Sequence, residues 1–142
     1  MQDKIEVTIE VIVHATEEIS KIFQSFEEFF DLNEEDFTIN ETTGYFENPI
    51  IILSTKIVKK SAQQFMKKLL ELLSSEQVNE LIEEIEERTV DSRFHMRLDK
   101  QELIKGNLIM GEKDTIKLKI HTPIYNKKDT VKSFTEIFQI AN

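Results

Sequence analysis

Near the start of the chain, apolar residues fall at every second position. Ile5, Val7, Ile9, Val11 and Val13 are interleaved with Glu6, Thr8, Glu10 and Ile12, which predicts a strand with one buried face. The period then lengthens. Ile19, Ile22, Phe23, Phe26 and Phe30 recur at helical spacing, with Thr16 expected as the cap and Glu17 and Glu18 in the first turn. The acidic tract Asp31 to Asp36 closes that helix. Phe37 to Phe46 reads as a strand, and Pro49 opens a stronger one, PIIILSTKIV, whose consecutive isoleucines predict a central position covered on both faces.

Two capping boxes follow. Ser61 with Gln64 is expected to start a helix carrying Phe65, Met66, Leu69, Leu70 and Leu73, and Ser74 with Gln77 a second carrying Val78, Leu81, Ile82 and Ile85. Glu80, Glu83, Glu84, Glu86 and Glu87 form the solvated outer face of the second helix. From Arg93 the period returns to two, with Phe94, Met96 and Leu98 on one side and Arg93, His95 and Arg97 on the other. Asp99 and Glu102 predict a capped helical turn that Gly106 ends in the left-handed region. Asn107 to Met110 reads as a short strand. Ile116, Leu118 and Ile120 alternate with Lys117, Lys119 and His121 in another, ended by Pro123, and Asp129 is expected to cap a last helix bearing Val131, Phe134, Ile137 and Phe138. Strands do not alternate strictly with helices. The order predicts an α+β protein, with a single mostly antiparallel sheet and helices packed on it, and residues 1–142 as one domain.

Composition narrows the chemistry. The chain has no cysteine, which removes disulfides, thiolate nucleophiles and cysteine-ligated metals, and no apolar run near the roughly 20 residues of a membrane span. A soluble cytoplasmic protein without membrane contact is the expectation. Three glycines leave no phosphate-cradling loop, and serine-nucleophile and dinucleotide-binding signatures are absent. No enzyme, metal site or cofactor is predicted. The net charge of −9 is unevenly spread: residues 1–91 hold 8 Lys and Arg against 21 Asp and Glu, and residues 92–142 hold 10 against 6. Indiscriminate attraction to nucleic acid is thereby excluded, while a basic face in the last third is not.

That face is the candidate site. If the two strands bearing Arg93, His95 and Arg97 and Lys117, Lys119 and His121 share a sheet with their apolar sides inward, six basic or titratable groups project together. Lys100 and Lys105 flank them. Residues two apart on a strand are ~6.6–7 Å apart, a spacing able to follow a phosphate backbone. The competing explanation is ordinary cross-strand pairing with Glu6 and Glu10. His14, His95 and His121 lack any metal-ligand spacing and read as scattered surface histidines.

The segments His14-Ala15-Thr16-Glu17, Asn48-Pro49-Ile50 and Arg97-Leu98-Asp99-Lys100-Gln101 with Gly106 resemble, in order and spacing, a family of small archaeal proteins described as RNA-binding or exosome-associated. The resemblance implies a fold like that of the large-subunit ribosomal protein that carries 5S rRNA, and an archaeal cytoplasmic setting. His14, Asp99 and Gly106 are each explained by folding. Arg97, Lys100 and Gln101 are not required by the fold on this reading, and carry the functional expectation with the basic strands. The function expected is a non-enzymatic module that binds structured RNA or a ribonucleoprotein. The alternative is a protein-interaction module, a homodimer or a partner for the acidic surface, without RNA.

Overall fold

The structure is a computed structural model that describes residues 4–43 and 48–139. Six strands, β1 (Glu6–His14), β2 (Thr38–Thr43), β3 (Pro49–Val58), β4 (Thr89–Val90), β5 (Arg93–Asp99) and β6 (Thr115–His121), form one antiparallel sheet in the order β2-β3-β1-β6-β5-β4. Helices α1 (Ile19–Phe30), α2 (Lys59–Leu72), α3 (Ser75–Glu83), α4 (Ile85–Arg88), α5 (Lys100–Ile104) and α6 (Thr130–Phe138) pack on it. The α+β architecture follows from the alternation of periods two and 3.6 noted above. Gly44 to Phe46, expected at the end of the second strand, lie outside the described residues.

The chain forms two compact units. One comprises Thr8–Lys56 and Arg97–Lys117. Its core is Ile9, Val11, Val13, Ile22, Phe26, Phe30, Phe37, Leu53, Leu98 and Leu103, all buried. Phe37 meets Phe26 at 5.0 Å and Phe23 at 5.7 Å between ring centroids. The other comprises the described residues of Met1–Val7, Ile57–Met96 and Leu118–Asn142. There Phe94 packs against Phe138 at 4.8 Å and Phe134 at 5.7 Å, and Met66, Leu69 and Leu81 are buried as well.

Local signals succeeded where one side chain decided the outcome. Ser74 Oγ accepts the Gln77 N–H at 3.1 Å, Asp99 caps α5 by accepting from Glu102 N–H at 2.9 Å, and Gly106 turns at φ 98°. Four expectations are corrected. Thr16 does not cap α1, which starts at Ile19, because Glu17 is folded back onto the His14 N–H and the side chains beyond it. Ser61 lies inside α2, which begins two residues earlier at Lys59 after an uncapped Val58. The isoleucine strand β3 is next to the edge rather than central, and Ile50, Ile51 and Ile52 are only half-covered. The segment Asn107 to Met110 makes a single bridge, Leu98 to Met110, instead of a strand. At the last helix Asp129 occupies the cap position without a cap hydrogen bond, and Asn126 instead accepts from Lys128 N–H at 3.2 Å one turn earlier.

The fully buried Phe94 is gripped by two rings of α6. Phe94→Ala is expected to destabilise the protein by about 3–5 kcal/mol, measured by urea denaturation, whereas removing the exposed Val131 side chain changes stability by about 0.5 kcal/mol or less.

Candidate nucleic-acid interface and the Lys100 cluster

At the end of β5 the strand alternation carries one residue too far for an ordinary surface lysine. Phe94, Met96 and Leu98 point inward, and the next position of the same parity is Lys100, the first residue of α5. Its side chain is 1 % exposed. An ammonium removed from water must find partners for all three N–H groups. Nζ donates to Ile12 O at 2.7 Å and Glu17 Oε1 at 2.8 Å, and lies 2.9 Å from Asp114 Oδ1. Gln101 closes the arrangement from the solvent side. Its Nε2 donates to Glu17 Oε2 and to Asp114 Oδ2, each at 2.9 Å.

The backbone is tied in the same place. Lys100 N–H donates to Asp114 O at 3.0 Å, Asp99 N–H to Ile109 O at 2.9 Å, and Gly111 N–H to Arg97 O at 3.2 Å. A Cβ on Gly111 would stand 3.0 Å from Asp99 Cα, so the loop needs glycine to approach this closely. Burial pushes the Glu17 carboxyl up, but it is outweighed by the hydrogen bonds from Lys100, His14 N–H and Gln101 and by the Lys100 charge. Glu17 is thereby held below its ordinary value of 4.5. Asp114 likewise feels desolvation first. The Gln101 and Lys100 hydrogen bonds and the Lys100 and His14 charges nevertheless bring it below its ordinary 3.8. This is a closed hub with no open coordination or reaction position at Nζ. The expectation that folding does not require lysine at 100 is therefore corrected, and Gln101 also has a structural partner on each side.

The strand residues divide differently. Arg97 and Lys117, in the same unit as the hub, are exposed with no side-chain partner among the described residues. In the other unit Lys119 is likewise exposed and without a partner among the described residues, and Arg93 donates to the Asp91 carbonyl at 3.1 Å. His95 is half-buried and engaged, with its carbonyl 3.5 Å from Arg88 Nη1. His121 Nδ1 is 3.9 Å from Glu6 Oε2, too long for a hydrogen bond, and is a buried atom without a hydrogen-bond partner. The Glu6 carboxylate of β1 thus lies near His121 without hydrogen-bonding it, while Glu10 forms no ion pair with Lys117 or Lys119. Lys105, which caps the C-terminus of α5, pairs with Glu102 at 3.5 Å.

Among the described residues no three His, Cys, Asp or Glu converge as metal ligands, and no helix is long and apolar enough to cross a membrane. The sequence places Glu17 only in a first helical turn and gives Asp114 no role, because both lie far from Lys100 along the chain. The inward parity of position 100 was the available signal.

A protein-family model described as RNA binding matches residues 6–122. The chain is 34% identical over 137 residues to an uncharacterised protein of Methanocaldococcus jannaschii, covering 89% of this chain and 91% of that one. It is 31% identical over 139 residues to an RNA-binding protein of Pyrococcus abyssi, covering 92% and 90%. A crystal structure of a protein from Archaeoglobus fulgidus superimposes with TM-score 0.79 at 26% identity, covering 93% of this chain and 97% of that one.

Removing the Lys100 charge leaves two carboxylates facing each other. Lys100→Met is expected to lower stability by about 3 kcal/mol, the lower end of the range for breaking a buried pair, because Asp114 at 44% exposure can rehydrate. The pH dependence has a definite sign. Glu17 and Asp114 have folded values below their ordinary ones, so their contribution is complete above about pH 4.5 and is lost as pH falls through the folded values. Denaturation midpoints of the wild type should therefore drop on acidification below pH 4.5 more steeply than those of Lys100→Met. Parallel pH profiles would contradict the assignment.

Proposed function

The chain belongs to this RNA-binding family, and from that membership we propose that it is a non-enzymatic module that associates with structured RNA or a ribonucleoprotein through the exposed cations of β5 and β6. The observation that carries this reading is Lys117 and Lys119, alternate residues of β6, both exposed and without a carboxylate partner among the described residues. Arg97 and Arg93 repeat the pattern on β5, the neighbouring strand of the sheet. Lys100 is outside this set because its ammonium is already enclosed, and Gln101 because its amide N–H groups are committed to Glu17 and Asp114. Relatives with the RNA-binding description support the class of partner. The acidic remainder of the molecule restricts contact to few phosphates.

Binding by about four cations gives a modest salt slope, near −3 in log K against log salt for single-stranded or looped RNA. Fluorescence anisotropy with a structured RNA at several salt concentrations should show this slope, and Lys117→Glu with Lys119→Glu should weaken binding and flatten it by about 1.5. Salt-insensitive binding, or a double variant that binds as the wild type does, would sink the reading.

A second reading has its own support. The edge strand β2 exposes all six of its residues, carries one charge, Glu41, and has neither lysine nor proline. Natural edges are usually blunted by such residues, and the opposite edge, β4, is only two residues long. An antiparallel pairing of β2 with β2 of a second copy would build a homodimer. Light scattering should then show a dimer that Asn40→Pro converts to monomer. A monomeric wild type at all concentrations removes this reading.

A further inference from the structure

We propose that the cleft beside Tyr125 binds a single-stranded nucleotide, with the base against the tyrosine ring and the phosphate on Lys127 and Lys128. The inference rests on the RNA-associated reading and adds a site on a surface that reading does not use.

The chain after β6 descends into the protein and then abruptly leaves it. Thr122 is buried, Pro123 and Ile124 are half-buried, and Tyr125 is 89% exposed. The turn that presents it is pinned: Asn126 Oδ1 accepts from Lys128 N–H at 3.2 Å, and Asn126 O accepts from Asp129 N–H at 2.9 Å. The ring therefore stands on a fixed base with apolar area in water, an arrangement that folding alone does not reward. Its side chain lines a cleft of about 460 Å³ whose walls include Thr89, Ser92, Val131, Lys127 and Lys128. It also lines a smaller hollow of about 200 Å³ bounded by Pro123, Ile124 and Lys132. The larger volume is in the range of small-molecule sites.

Charge selects the ligand class. Lys127, Lys128 and Lys132 form no ion pair with any described carboxylate, although Glu86 and Asp91 line the same cleft as the first two. Unpaired cations beside unpaired acceptors suit a ligand that carries both a phosphate and N–H donors. A nucleotide does so: the lysines neutralise phosphate, the carboxylates accept from exocyclic amino groups, and the tyrosine face stacks on the base. A bare phosphate ion has no donors for Glu86 and Asp91. A duplex keeps its bases stacked and out of reach, so the strand must be single.

The test is fluorescence anisotropy of a mixed-sequence single-stranded RNA octamer against the full chain at low salt. Tyr125→Ala should weaken binding about 5–150-fold, the span measured for one stacked base, and Tyr125→Phe should retain it. Equal binding by wild type and Tyr125→Ala overturns the cleft. Loss in Lys117→Glu/Lys119→Glu with Tyr125→Ala unaffected also overturns the cleft but leaves the strand face standing. The reverse pattern supports the cleft and overturns the strand face, and a wild type that binds neither the octamer nor a structured RNA overturns both. A tyrosine-dependent interaction with peptides but not with RNA overturns the nucleotide assignment.

Discussion

A lysine ammonium with 1 % exposure is the constraint on which one of the two units depends. Its charge cannot be left unmet inside a protein, so the chain around it has to deliver three acceptors to one point. They come from the end of β1, the segment entering α1, and the loop preceding β6. Glu17 is drawn back to serve Lys100, so α1 starts later than its local capping signals predict. Gly111 is drawn against Asp99, so the segment after α5 crosses closely instead of pairing as a full strand. Gln101 spans both carboxylates and spaces them around the ammonium. The hub is expensive in desolvation and specific in geometry. It fixes where four segments meet more than it adds to the total stability.

Much of this fold is visible in the sequence because one face of each strand is buried. β1, β5 and β6 begin and end within a residue or so of their apolar alternation, and the caps at Ser74, Asp99 and Gly106 are set by single side chains. The failures are tertiary. Consecutive isoleucines in β3 looked central, but the strand is flanked by an edge hairpin in which Ile39 pairs with Leu53 and Glu41 with Ile51. Hydrophobicity there records partial cover on both faces, which a run of letters cannot separate from full cover. Ser61 has the chemistry of a cap, yet α2 begins two residues before it, after a left-handed turn of the backbone at Lys59 (φ 54°).

The candidate site was legible by half. Exposed Arg97, Lys117 and Lys119 are where alternation places them. Lys100 escapes a pattern of letters because lysine is ordinarily exposed, yet here it occupies the next inward position after Phe94, Met96 and Leu98. Its partners at 17 and 114 are distant in sequence, and no spacing rule links them. The Tyr125 turn carries no periodic or motif signal in the sequence. What distinguishes it is exposure on a pinned backbone beside two hollows, which composition cannot show. The resulting division is between basic residues that build the protein and basic residues that remain open to a partner. For a chain of net charge −9, that distinction matters more than the count of lysines, because each enclosed cation is lost to phosphate.

Side-chain NMR of the lysine ammonium groups during titration with a structured RNA tests that division most directly. The Lys117 and Lys119 resonances should shift with RNA and return with added salt, while Lys100, enclosed by Ile12, Glu17 and Asp114, keeps its frequency and its slow solvent exchange throughout. A Lys100 signal that moves with RNA while Lys117 and Lys119 stay fixed would contradict the account.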